Sequence, residues 1–323
     1  MIQKRAKRLK KTREEKRAMS EKKPKITQAI QTKGKEMKNE KQRALRVLAK
    51  AREDIQALRK RMDNRIGRKA DGKDQDLKGT REFEPADLEI FVSLADTARQ
   101  MEKDIEKQFK IHLKTQPIYN EYLSKVKGVG PAMAAWILAE FDIEIATTVS
   151  KMWQYAGMNP ALVHGKKRIK TSAYKPEMGP IINKLTGFAN EEEVIIQTTT
   201  AVRGDKLTPG FVSPFNKNIK TVLLGILAGS FIKCGSAYRK YYDDYKLRLE
   251  NSDNVIVNPD VNKPRKDDGK KWSEVSKGHR DAAAKRYMIK MFLTDLYVNW
   301  RTLEGLPVRK PYAEEYLGKI HSE

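Results

Sequence analysis

Metal-assisted phosphoryl transfer needs two or more carboxylates converging on Mg²⁺, because the ions stabilise the attacking and the leaving oxygen together. Two groups in this 323-residue chain offer that residue type at short spacing: Glu140, Asp142 and Glu144, and the pair Asp243-Asp244. Neighbours i and i+1 diverge on a helix, so Asp243-Asp244 reads as a solvated pair. Glu140 and Glu144 share a face only if one helix carries both, and a surface pair is the favoured reading. The four histidines, His112, His164, His279 and His321, are scattered without zinc spacing. A single cysteine, Cys234, excludes an internal disulfide and a cysteine-cluster metal site. No catalytic residue, metal ligand or cofactor is assigned from these residues.

Anion recognition has a stronger signal. Val126-Lys127-Gly128-Val129-Gly130-Pro131 reads as a tight turn between one helix at about 118–126 and another from Pro131 to about Phe141. Proline suits the first helical position. The unpaired N–H groups and positive dipole end of the second helix suit an anion. Lys127, Gly128, Val129 and Gly130 are therefore candidate phosphate contacts, in a pattern resembling the helix-hairpin-helix that grips DNA backbone; an ordinary glycine turn is the competing reading. Lys166, Lys167, Arg168 and Lys170 form a basic cluster that would flank the same groove. The last helix carries a basic set, Lys277, Arg280, Lys285, Arg286 and Lys290, as a further candidate contact, and His279 before Arg280 suits phosphate contact and a capping role equally. Tyr238, Tyr241, Tyr242 and Tyr245 could stack on unpaired bases, although a packing face is favoured.

The partner implied is a polyanion. The chain carries 66 Lys and Arg against 42 Asp and Glu, a formal +24, which points to nucleic acid first and an anionic membrane second. Residues 1–70 hold 26 Lys and Arg against 8 Asp and Glu, so +18 of the excess sits in the amino-terminal part. No apolar run approaches the roughly 18 residues of a membrane span, and no apolar leader follows the amino terminus.

The elements that must position these residues are mostly α-helical. Residues 1–40 are a basic arm too poor in apolar residues to order alone. Residues 41–116 read as a long antiparallel helical hairpin or coiled coil. Its first seam is Leu48, Ala51, Ile55, Leu58 and Met62; its second is Leu94, Ala98, Met101, Ile105, Phe109 and His112. A polar loop from Asp63 to about Glu84 joins them, and a homodimer through the seams is open. Residues 117–160 hold the helix-hairpin-helix. Residues 161–213 are a loop-rich insertion with a small β element around Glu193–Thr200. Residues 214–304 are a carboxy-terminal helical region: one helix from Pro214 to about Leu249, a polar linker at 251–271, and a last helix from about Ser276 to Leu303. Residues 305–323 are a tail.

Five blocks, in order over roughly residues 90–305, resemble the IS-one-ten class of insertion-sequence transposases. Gly128-Val129-Gly130-Pro131 with Ala139-Glu140 looks like that family's "G-x-G-x…A-E" hairpin. Tyr155-Ala156-Gly157-Met158-Asn159-Pro160 is similar to its "Y-A-G-L-x-P", and Phe215-Asn216-Lys217-Asn218-Ile219-Lys220 to its "G-N-x-x-L-R" helix start, which adds Asn216 to the candidate contacts. Ala237–Tyr242 and Gly278–Arg286 match a "Y-R-x-x-Y" and a "G-H-x-x-A-A-x-R". The resemblance implies the DNA-handling half of a transposase. The family's RuvC-like domain, with four Mg²⁺-binding carboxylates, has no counterpart in residues 1–84. Its serine nucleophile is not found after Pro160, where His164 stands, with Thr171, Ser172 and Ser213 the nearest hydroxyls.

The expectation is a mostly α, transposase-like DNA-binding protein with no cofactor and no membrane, cytoplasmic and nucleoid-associated, with a virion or mobile-element context open. DNA is the first partner and structured RNA the second. The alternatives are an active Mg²⁺-dependent recombinase using a site supplied by a partner, and an RNA-binding or nucleoprotein structural component.

Overall fold

The computed structural model describes residues 40–67, 85–186, 192–257 and 267–309. The basic arm up to residue 39, most of the expected 63–84 loop, part of the 251–271 linker and most of the tail lie outside the described residues. The chain is mostly helical with one small antiparallel sheet. It divides into two compact units, Met1–Ile105 and Glu106–Glu323.

The first unit contains helix α1 (residues 40–65) and most of helix α2 (Pro85–Lys114). The two run antiparallel: Arg59 meets Glu102, while Asp63, a turn further along α1, meets Arg99, a turn earlier on α2. The buried stripe of α1 passes through Leu45, Ala49, Arg59, Asp63 and Ile66, and that of α2 through Ala95, Ala98 and Glu102. The apolar seams expected from periodicity are displaced from it. Leu58 is 46% exposed, Leu94 48% and Met101 51%, while Ala98 keeps its place. The displacement follows from charge pairing. Arg59 donates to Glu102 and to Asp63, and Arg99 also donates to Asp63. A mutually neutralised set can occupy seam positions that periodicity reserves for apolar side chains.

The second unit is built around helix α8 (Lys277–Leu303), which Ser276 caps by accepting from the His279 backbone N–H. Ala284, Met288, Ile289, Phe292, Leu293 and Leu296 are fully enclosed, because α8 packs on several sides. Its neighbours are α3 (Pro117–Glu121), α5 (Val149–Tyr155), α6 (Lys217–Cys234) and α7 (Arg239–Glu250). Phe292 meets Phe231 of α6 and Tyr238 edge-on, with ring centroids 5.4 Å apart in each case. Helix α4 (Pro131–Glu140) is buried from Ala134 onward. Arg301 donates to the carbonyls of Ile143 and Ala146, and Tyr297 to that of Thr147, which ties the α4–α5 loop to α8.

The helix expected from Pro214 to Leu249 is two helices. Asn216 caps α6, accepting from the N–H groups of Asn218 and Ile219. Residues Thr221–Leu227 of α6 take the wider π spacing. The helix stops at Gly235, whose φ is 62°, and α7 leaves at 100° to α6. The expected insertion is a three-stranded antiparallel sheet in the order β1 (Leu162–Lys170), β3 (Glu192–Arg203), β2 (Ile181–Thr186). Among the described residues no single helix is long and apolar enough to cross a membrane.

Candidate nucleic-acid interface

The hairpin turn joins a 3₁₀ turn at Leu123–Lys125 to α4. Its glycines do different things. Gly128 has φ 102°, and a Cβ there would sit 2.8 Å from Phe231 Cδ1 and 3.0 Å from Cys234 Sγ. Its carbonyl accepts from Ser230 Oγ at 2.9 Å, so this glycine seats the turn on α6. Val129 is buried. Gly130 is exposed, in extended conformation at the N-cap of α4, with no side-chain cap and nothing within 4 Å of where a Cβ would stand. Lys127 is exposed beside it.

Lys127 and Lys125 open onto a groove of about 760 Å³ shared with α7 and α8. Lys240, Arg248, Tyr241, Tyr245 and Tyr287 line it, with Asp244 and Asp295. The tyrosines split into two kinds. Tyr122 and Tyr238 share a hydroxyl hydrogen bond of 2.6 Å, Tyr238 donates to Asp295 at 2.7 Å, and Tyr242 donates to Asp281 at 2.6 Å. Burial raises the phenol pKa of all three, Tyr242 to about 12, and raises the Asp295 carboxyl above the usual range. These are packing tyrosines. Tyr245 and Tyr287 instead stack on each other with centroids 4.4 Å apart, and the Arg248 guanidinium lies 4.7 Å from the Tyr245 ring.

The same two tyrosines also line a second hollow, of about 500 Å³. Its basic side chains are Arg203 at the end of β3, with His279, Arg286 and Lys290 on α8. Beneath them a single buried carboxylate, Asp205, accepts both arms of the Arg203 fork at 2.8 and 2.7 Å and faces Arg286 at 3.4 Å. Lys220 donates to the Asp205 carbonyl and crosses the Phe215 ring. Lys290 lies 4.9 Å from the Trp153 ring centroid. Burial lowers the pKa of Lys290, with Arg286 adding to the effect, and burial likewise lowers that of Lys220. The Asp205 carboxylate thus serves two arginines, and its backbone carbonyl one lysine.

The remaining candidates separate. On β1, Lys166, Arg168 and Lys170 share one face with partners Gln197, Ile195 and Glu193, whereas Lys167 lies on the Ile196 face and over the Phe211 ring. Both sets are exposed. His279 holds Asp267 at 3.3 Å and borders the second hollow, together with Arg286. Arg280 is buried and donates to the carbonyls of Ser273 and Val275, clamping the loop before α8; it is not placed for an outside ligand. Asn216 is likewise committed. Its oxygen caps α6 and its Nδ2 donates to Glu140 Oε2 at 2.5 Å and to Tyr155 OH at 2.8 Å.

That last network corrects the reading of Glu140 as a surface carboxylate. It is 7% exposed and holds three of the family-like motifs together: its own, the one beginning at Tyr155 and the one at Asn216. Because α4 ends at Glu140, Glu144 falls in a turn and shares no helix face with it. Asp142 accepts from the Glu144 N–H, and Asp243 pairs with Arg239. Among the described residues no group of three or more His, Cys, Asp or Glu is arranged to hold a metal. His164 and Ser213 border one hollow of about 430 Å³, but Ser213 Oγ is bonded to the Phe215 backbone.

Sequence reasoning missed Arg203, Lys220 and Asp205, and weighed Lys290 only as one of a basic set. A visible signal was the run Arg286-Tyr287 with Lys290 one turn on, which places two cations and an aromatic on neighbouring faces of one helix. Comparison with protein-family models, curated proteins and solved structures finds no match to this chain.

Proposed function

We propose that this chain is a nucleic-acid-binding protein of transposase ancestry, with DNA as its first partner, that contacts phosphates through the hairpin and the cationic hollows beside it. The observation that carries the reading is the basic set around Asp205: Arg203 and Arg286 face its carboxylate, Lys220 donates to its backbone carbonyl, and Lys290 lines the same hollow as both arginines, an excess of positive charge that a phosphate would neutralise. The hairpin lysines open onto an adjoining groove. The ordered motifs support the ancestry, since Glu140, Tyr155 and Asn216 meet in one hydrogen-bonded set. Arg280 and Asn216, whose side chains serve the fold, leave the set of phosphate-binding candidates. Lys127, Gly130, Lys166, Arg168, Lys170, His279 and Arg286 stay in it.

Two measurements test this. Affinity for a DNA duplex should fall steeply between low and moderate salt, and removing residues 1–39 should make that dependence shallower, in proportion to the phosphates that the arm neutralises. An affinity flat in salt overturns the electrostatic account. At the hairpin, Gly130→Ala should leave the thermal midpoint within the change expected of about 0.5 kcal/mol and weaken duplex binding. Gly128→Ala should destabilise the fold by about 1–3 kcal/mol through its positive φ and the clash with Phe231. A Gly130→Ala protein that binds as tightly as the parent returns the hairpin to a structural turn.

A further inference from the structure

We propose that the two hollows flanking Tyr245 and Tyr287 form one track for an unpaired polynucleotide strand. A base extends the aromatic stack, and the adjoining phosphates rest against Arg286 and Lys290 in one hollow and Lys127 in the other. The inference rests on the nucleic-acid reading above and narrows it to strands whose bases are free.

The stack supplies the first ground. Tyr245 stacks on Tyr287 with 4.4 Å between rings inclined by only 17°, the Arg248 guanidinium lies 4.7 Å from the Tyr245 ring, and Tyr241 meets Tyr287 edge-on at 6.4 Å. An aromatic cluster of this kind accepts another flat group at an uncovered ring face. Bases stack on aromatic rings and on guanidinium planes whatever their sequence. In a duplex both faces of each base are already covered, so a base offers a face only when unpaired or turned out of the helix.

The hydroxyls supply the second. The packing tyrosines, Tyr122, Tyr238 and Tyr242, bond theirs to internal partners. Those of Tyr245 and Tyr287 have no such bond among the described residues, although both rings border open hollows. The charge is the third. Among the described residues the smaller hollow is lined by Arg203, Arg286 and Lys290 and by no carboxylate, because Asp205 lies beneath Arg203 and Arg286. At about 500 Å³ it is in the range that encloses a small molecule, so it fits a nucleotide and not a double helix. The two hollows share the tyrosine pair as a common wall, and successive nucleotides of one strand would pass it.

The test uses the full chain with three fluorescent probes of equal length at one salt concentration: oligo-dT, oligo-U and a blunt mixed-sequence duplex. The unpaired probes should bind at least about tenfold tighter than the duplex, the scale of one stacked base. Tyr287→Leu should remove most of that preference, while Tyr287→Phe retains it. If Tyr287→Leu fails to fold, photocrosslinking of bromouracil-substituted dT to the unaltered chain decides: adducts at Tyr245 or Tyr287 support the track, and adducts confined elsewhere overturn it. Equal affinity for all probes, or a Tyr287→Leu protein that keeps the preference, also overturns it while leaving general nucleic-acid binding intact. Absence of salt-sensitive binding to any probe overturns the underlying reading instead. A preference for U over dT, or the reverse, identifies which unpaired strand the track takes.

Discussion

Both units bury charged side chains, but in opposite proportions. On the helical hairpin Arg52, Arg59 and Arg99 face Asp63, Asp96 and Glu102, three cations with three acids, each within ordinary ion-pair distance. In the second unit the Asp205 carboxylate faces Arg203 and Arg286, its backbone carbonyl accepts from Lys220, and Lys290 lines the same hollow as the two arginines. The balanced set pairs its charges, although Arg99 Nε is buried without a hydrogen-bond partner among the described residues. Its cost of desolvation is offset by mutual attraction, and it specifies which stripe of α1 meets which stripe of α2. The unbalanced set cannot satisfy itself. Burial and mutual repulsion depress the pKa of Lys290, and an incoming anion relieves both.

The sharpest way to break that comparison is to neutralise the acid in each network. Asp63→Asn strands Arg59 and Arg99, and Asp205→Asn strands Arg203 and its neighbours; each should cost about 3–5 kcal/mol in denaturant melts. Inorganic phosphate or a short oligonucleotide should then restore part of the loss in Asp205→Asn and none in Asp63→Asn. Equal rescue, or none in either, would mean that the two networks are alike. A smaller contrast removes one cation. Lys290→Met should leave stability within about 0.5 kcal/mol, since an apolar stem of similar length relieves repulsion and keeps its packing on Trp153. It should nevertheless weaken oligonucleotide binding severalfold. A large stability loss in Lys290→Met, measured by calorimetry, would place that lysine with the structural charges.

Much of the architecture was legible where single residues act locally. Pro131 opens α4 as its fixed φ demands. The apolar set Ala284, Met288, Met291, Phe292 and Leu296 is the buried stripe of α8. The hairpin seams were legible in part. They hold at Ala98 and Phe109 and fail at Leu58, Leu94 and Met101, because apolar spacing cannot report that Arg59 and Asp63 are neutralised and can be buried. The continuous helix expected from Pro214 to Leu249 failed for another reason: a glycine inside an apolar run does not announce whether the chain bends there. Among the candidate phosphate-binding residues, exposure decided the outcome. Lys127 and Lys166 stand in solvent, whereas Arg280 and Asn216 spend their donors on carbonyls and on Glu140.

By itself the chain determined its charge excess, its helical character, the glycine turn before α4 and the residue types available to meet an anion. These follow from composition, from backbone preferences and from periodicity, which act over a few neighbours. Only the tertiary structure decided which charges pair. Asp205 meets Arg286 across 81 positions, and Tyr245 stacks on Tyr287 from a different helix. Coulomb attraction, desolvation and stacking depend on distance in space. The imbalance that marks the candidate site comes into being only when β3, α6 and α8 are brought together.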